Sequence, residues 1–270
     1  MRLFWLIFLL LLNLAAVPEP STVERDFQRY FSPYRVQGSF LLYDEQAGRF
    51  TAYNLKRCRQ GFLPASTFKI PNTIIGLETG VIQDTSQIMK WDGRKRSFPQ
   101  WNQDMTLGRA LRVSCVPCYQ QIARNIGGRR YNEQLPKLKF GQMRVTEATV
   151  DSFWLTGSSR ITQFEQIDFL RRLHANKLLA TLEHQQTTKA LLQLRKTPDY
   201  CLYGKTGWSG RTATRPDNGW FVGWLARTDG RTFYFALNAE PQPGHTAADT
   251  KFVPARRAIT EEILAELKLL

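Results

Sequence analysis

Apolar positions change their spacing along this chain, and the changes divide it into three stretches. Residues 37–44 and 49–54 are rich in aromatic and β-branched side chains and flank Glu45-Gln46-Ala47-Gly48, which predicts two strands joined as a hairpin. Residues 66–79 are dominated by leucine, isoleucine and glycine and predict a buried helix, with Pro71 tolerated early and Gly80 as its C-terminal cap. Residues 81–200 read as mainly helical and contain no linker. Helical segments are predicted over 106–113 and 117–126, the second opened by Pro117 and stopped by Gly127-Gly128. Thr162-x-x-Glu165 forms a capping box ahead of Phe164, Ile167, Leu170 and Leu173 at helical spacing, and another helix is predicted over 182–194. From Tyr200 the pattern returns to strands, at 200–205, 219–226 and 232–239, with turn signals Asp217-Asn218 and Asp229-Gly230 between them. An amphipathic helix over 254–269 follows. Strands at both ends with helices between them predict an α+β fold. Its antiparallel sheet is built from N- and C-terminal strands flanked by helices, with a mainly helical inserted region.

The first sixteen residues follow a different pattern. Met1-Arg2 gives a positive start, residues 3–14 are almost wholly apolar, and Ala15-Ala16 supplies small residues, together the pattern of a secretory signal peptide over 1–16. The apolar run is short for a spanning helix, and no cysteine follows it to carry a lipid. Residues 17–270 are therefore expected to form one domain, exported across the inner membrane, most simply to a bacterial periplasm or the extracellular space.

Composition narrows the chemistry. The chain of 270 residues is 43% hydrophobic, enough for a sizeable core. Its formal net charge of +14 is scattered in short clusters such as Arg94 to Arg96 and Arg129-Arg130, with no zinc-finger spacing or aromatic RNA signature. Neither a nucleic-acid partner nor an integral membrane partner is expected. The charge suits a soluble exported protein and also favours anionic small molecules or an anionic cell-wall surface. Four cysteines, Cys58, Cys115, Cys118 and Cys201, are too few for a disulfide scaffold. Cys115-x-x-Cys118 has redox or metal-ligand spacing, but no second pair or nearby histidine completes a site. The four are read as compact core residues, and no metal is expected.

The candidate chemistry centres on Ser66-Thr67-Phe68-Lys69. At the start of a helix the two polar side chains share a face, so the amine can sit beside the hydroxyl. A lysine takes a serine proton only if burial lowers its pKa from about 10.4. Alone, the tetrad is read more simply as an N-capping serine with a solvated lysine one turn on. The three histidines, His174, His184 and His245, lie in no motif with a nucleophile, so lysine is the better candidate base. Lys205-Thr206-Gly207 ends a predicted strand. The lysine and the threonine hydroxyl there suit a carboxylate, and Gly207 permits close backbone approach by a ligand.

The order Ser-x-x-Lys, Ser-x-Val, Lys-Thr-Gly is that of the serine penicillin-recognising enzymes. Closer still, the chain resembles the class D β-lactamases, the oxacillinases, over nearly all of its expected mature length. The resemblance rests on Phe62-Leu63-Pro64-Ala65-Ser66-Thr67-Phe68-Lys69-Ile70-Pro71-Asn72, Ile75-Gly76-Leu77-Glu78-Thr79-Gly80, Lys90-Trp91-Asp92-Gly93, Ser114-Cys115-Val116-Pro117, Phe153-Trp154-Leu155 and Lys205-Thr206-Gly207. It implies that Ser66 is the acylated nucleophile and that Lys69 is the general base, carboxylated on its amine by carbon dioxide. It further implies that Trp154 donates its indole N–H to that carbamate and that Ser114 assists proton transfer. Val116 and Leu155 would pack over the lysine. Lys205, Thr206 and Arg256 would meet a substrate carboxylate, with the backbone N–H groups of Ser66 and Trp208 as oxyanion hole. Arg257 beside Arg256 leaves that assignment open. The implied substrate is a β-lactam of the penicillin type, taken by a monomer or homodimer that needs no cofactor beyond carbon dioxide or bicarbonate. In one departure, Phe140-Gly141-Gln142 stands where the family usually has Tyr-Gly-Asn, which raises the expectation of altered substrate preference. Two other activities share the serine chemistry: a β-lactam-binding sensor domain and a cell-wall peptidase.

Overall fold

The computed structural model describes residues 20–270, so the expected signal peptide lies outside the described residues. In chain order the elements are β1 (Ser21–Glu24), α1 (Gln28–Phe31), β2 (Val36–Asp44), β3 (Arg49–Tyr53) and α2 (Leu55–Cys58). A 3-10 turn, Ala65–Phe68, runs directly into α3 (Lys69–Glu78). Then come β4 (Ile88–Met89), β5 (Met105–Thr106), α4 (Leu107–Arg112), α5 (Val116–Ile126), α6 (Gly128–Leu138), α7 (Gln163–His174) and α8 (Leu182–Leu191). The chain closes with β6 (Gln193–Lys196), β7 (Tyr200–Ser209), β8 (Asn218–Arg227), β9 (Thr232–Pro241) and α9 (Phe252–Glu266).

Seven strands form one sheet in the order β1-β3-β2-β9-β8-β7-β6, so the N-terminal hairpin joins the C-terminal strands through the β2–β9 pair. This is the expected α+β sheet from both termini, with one addition: β1 pairs in parallel with β3 at the edge. Alternation along β2 explains why the sheet is covered on both faces. Phe40 and Leu42 join Phe221, Phe235, Ile259 and Ile263 under α9, while Leu41 and Tyr43 join Ile74, Leu111, Ile122 and Leu170 on the helical side. Each such large side chain, once buried, contributes about 1.5–3 kcal/mol. The capping box forms as expected: Glu165 N donates to Thr162 Oγ1 at 3.1 Å, and Thr162 N donates to Glu165 Oε2 at 2.7 Å.

Three expectations need correction. The helix expected over 182–194 stops at Leu191, and β6 begins at Gln193. A four-residue strand with a bulge between Gln193 and Arg195 is too short to show a period of its own. The strand expected to end at Lys205 continues to Ser209, so Lys205-Thr206-Gly207 lies within β7. The cysteines are not all compact core residues. Cys115 and Cys118 form a disulfide, because the α4–α5 junction brings their Cα atoms to 5.5 Å, while Cys58 and Cys201 are free. Among the described residues no helix is long and apolar enough to cross a membrane.

Candidate active site

Ser66 sits in the 3-10 turn and Lys69 is the first residue of α3. A 3-10 turn has three residues per turn, so side chains at i and i+3 eclipse, which aligns the lysine with the serine. Lys69 Nζ donates to Ser66 Oγ at 2.9 Å, and Lys69 is fully buried. Burial holds its amine well below the usual lysine range, and the nearby Lys205 adds to the effect. The turn is anchored from outside. Ala65, at φ 50°, donates its N–H to Trp154 O at 2.8 Å, and Leu63 O accepts from Asn218 Nδ2 at 2.9 Å and Trp220 Nε1 at 2.8 Å.

The surroundings of Lys69 are aromatic. Its Nζ lies 5.2 Å from the Tyr119 ring centroid, and Tyr119 OH lies 2.8 Å from Thr73 Oγ1. Trp154 stacks on Phe68 with ring centroids 5.5 Å apart. Its indole Nε1 is buried without a hydrogen-bond partner, as is the Nδ2 of Asn72 in α3. Buried donors are rarely left so, because each costs about 1–3 kcal/mol.

Ser114 closes α4 in a Schellman motif. Its N–H donates to Leu111 O at 3.2 Å, and Cys115 N–H donates to Ala110 O at 2.8 Å. The motif needs a left-handed residue at this place, where glycine is usual, and Ser114 supplies it at φ 56°. The consequence is an Oγ aimed across to β7, where Lys205 Nζ donates to it at 2.9 Å. Lys205 also donates to Thr206 O at 2.9 Å. Burial and the Arg256 charge lower Lys205 to about 7. Arg256 is lowered to about 10 by burial, and its guanidinium hydrogen-bonds Gly207 O and Val253 O.

Ser66, Ser114, Val116, Thr206, Gly207, Trp208 and Arg256 line one cleft of about 530 Å³. The pairing of β6 with β7 extends only to Tyr203, which leaves the Lys205 to Ser209 half of β7 without a strand neighbour on that side. At Gly207 β7 approaches the Ser66 turn so closely that a Cβ would stand 3.2 Å from Pro64 O and from Thr67 Cγ2. Arg256, and not Arg257, lines the cleft, since Arg257 pairs with Glu261 at 2.5 Å. Leu155 packs half-buried against the helical-side core and does not line the cleft. Nor does Phe140, which is buried edge-to-face against Phe68 and Phe169, so a direct substrate contact from that position does not follow. His184 pairs with Glu78 and His174 with Tyr234, away from the cleft. Residues not singled out from the sequence complete its wall: Phe98, Gln100, Trp101, Arg112, Val113 and Val253. Only the packing of Phe98 on Trp101, at 4.5 Å, and their place at the rim mark them, and no local pattern announces that.

This sheet, with a serine and lysine on its helical side and a lysine strand facing them, defines a penicillin-recognising serine enzyme. The chain matches the penicillin binding protein transpeptidase domain family over residues 15–264. Within that class it belongs to the class D β-lactamases, and β-lactam hydrolysis, with the antibiotic resistance it confers, is its activity. It is 37% identical to β-lactamase OXA-48 of Klebsiella pneumoniae over 260 residues, 96% of this chain and 94% of that one. It is likewise 37% identical to OXA-10 of Pseudomonas aeruginosa over 254 residues, 94% of this chain and 95% of that one. The crystal structure of the class D β-lactamase YbXI from Nostoc superposes with a TM-score of 0.83 at 38% identity, covering 91% of this chain and 99% of that one. FUS-1 (OXA-85) from Fusobacterium nucleatum subsp. polymorphum gives 0.82 at 34%, covering 90% and 98%.

Proposed function

We propose that hydrolysis proceeds through an acyl-enzyme on Ser66 with Lys69 as the general base. The observation that carries this reading is the 2.9 Å hydrogen bond from the buried Lys69 amine to Ser66 Oγ. A lysine held neutral by burial can accept the hydroxyl proton as Ser66 Oγ attacks the lactam carbonyl. The N–H groups of Ser66 and Trp208, both at the cleft, face the developing oxyanion. Ser114, with Lys205 behind it, delivers a proton to the departing lactam nitrogen. Thr206 and Arg256, which line the cleft, and Lys205, which reaches it through Ser114 Oγ, hold the substrate carboxylate.

The unpartnered N–H of Trp154 fits a carboxylated Lys69, with Trp154 holding the added oxygens. Carboxylation by carbon dioxide would supply an anionic proton acceptor where the amine now stands, serving acylation and then deacylation by water.

The test is turnover of a chromogenic cephalosporin by the purified enzyme, with and without bicarbonate, beside acylation by a labelled penicillin. Repeated turnover, sustained by bicarbonate and lost in Lys69→Ala, is expected. Stoichiometric, stable acylation without turnover would instead define a β-lactam sensor or a cell-wall peptidase. The pattern of residues 1–16 and the Cys115–Cys118 disulfide support export to the oxidising periplasm. Amino-terminal sequencing of periplasmic protein tests it: a chain beginning at Met1 would count against cleavage.

A further inference from the structure

The Cys115–Cys118 disulfide lies inside the segment that presents Ser114 and Val116 to the cleft. Cys115 has three tasks there. Its N–H closes the Schellman motif on Ala110 O, its Sγ accepts from Cys118 N at 3.2 Å as the N-cap of α5, and the same sulfur is bonded to Cys118. The bond therefore staples the end of α4 to the first turn of α5. Ser114, a non-glycine in left-handed backbone, stands at the junction. Such a conformation persists only where its surroundings over-determine it. Cys118, 9% exposed, lines a second cleft of about 730 Å³ with Pro117, Arg124 and Trp101, the last shared with the active-site cleft, so Cys118 is the sulfur nearer to a reductant.

We propose that this disulfide is a positioning element for catalysis, holding the α4–α5 junction so that Ser114 Oγ meets Lys205 Nζ, and that its reduction slows turnover without unfolding the enzyme. The inference rests on the roles assigned above to Ser114 and Lys205. In the reduction a dithiol attacks Cys118 Sγ, the S–S bond breaks, and Cys115 leaves as a thiolate that takes up a proton. The second thiol of the reductant then attacks the mixed disulfide and frees Cys118. Two electrons and two protons pass to the protein, and the reductant ends as a cyclic disulfide.

The experiment compares kcat and KM for a chromogenic cephalosporin before and after dithiothreitol treatment, and again after reoxidation. Thiols are counted in denaturant, where the free pair Cys58 and Cys201 is the baseline. Reduction is expected to lower kcat about tenfold or more, as misplaced catalytic groups do, with KM changed less than about twofold. The thermal transition should remain cooperative, and reoxidation should restore kcat. Cys115→Ser separates the bond from the cap, because serine caps helices well. It should match the reduced enzyme and ignore dithiothreitol, whereas Cys201→Ser should respond as the unaltered enzyme does. Full kcat in Cys115→Ser, or in enzyme with both bonded thiols titrating, would overturn the positioning role. Oxidised enzyme that never turns over would instead overturn the hydrolase mechanism on which the role depends.

Discussion

Lys205 Nζ donates to Ser114 Oγ at 2.9 Å, joining residues ninety-one positions apart in the chain. The bond couples a strand to a helix junction, and it lies in a setting that brings the lysine down to about 7. Free enzyme therefore loses this cation as pH rises through about 7, and with it part of the attraction for a substrate carboxylate. A bound carboxylate favours the protonated form and raises that value. The alkaline limb of kcat/KM is accordingly expected near neutrality and that of kcat at higher pH, since the first reports free enzyme and the second the complex. Superimposable limbs in the two profiles would remove Lys205 as the titrating group.

The unpartnered indole N–H of Trp154 yields a second prediction. Trp154→Phe keeps an aromatic ring against Phe68 and removes the donor, together with some packed volume. Loss of a hydrogen bond to a charged group corresponds to about 1.5–3 kcal/mol, or roughly ten- to a hundredfold in bicarbonate affinity. Titrating kcat with bicarbonate should show the half-saturating concentration raised by that factor. An unchanged curve would mean that the donor serves no carbamate.

Ser114 occupies a left-handed position that a side chain strains. Both Ser114→Ala and Ser114→Gly remove the hydroxyl and should lower kcat on the order of a hundredfold, as loss of a proton-transfer group does. Their stabilities should differ, because glycine relieves the strain that alanine keeps. The glycine variant is expected to be the more stable by about 1 kcal/mol in urea unfolding. Equal midpoints with equal slopes would show that the junction imposes no backbone strain.

Gly207 is where β7 meets the Ser66 turn. In Gly207→Ala the added Cβ would stand 3.2 Å from Pro64 O, Thr67 Cγ2 and Trp220 Cβ, two of them backbone-fixed or ring-bearing neighbours with little room to yield. A shift of a few tenths of an ångström must separate Ser66 from the strand. The expected outcome is a fall in kcat/KM of about tenfold or more, carried by kcat as well as KM. Wild-type kcat with a normal thermal transition would show that the strand can move without moving the serine.

Much of this enzyme was legible as sequence because its signals are local. The Ser66 to Lys69 spacing, the Thr162 and Glu165 capping box and the alternation in β2 each act within a few residues, through bonds and contacts that the chain makes with itself nearby. The family motifs, being short and ordered, carried the rest of the site. What stayed hidden involves partners far apart in the chain. The parallel pairing of β1 with β3 and the short β6 depend on the sheet already being present. Phe140 is a core residue only because Phe68 and Phe169 converge on it. The residue types of Cys115 and Cys118 left metal, redox and packing readings open, until the α4–α5 junction set their Cα atoms at bonding distance. Sequence alone thus determined which residues are the candidates for the chemistry and the order in which they come. The tertiary structure decided which of them touch, how dry Lys69 is and what Ser114 faces, since burial and long-range contacts are properties of the packed chain and of no single segment.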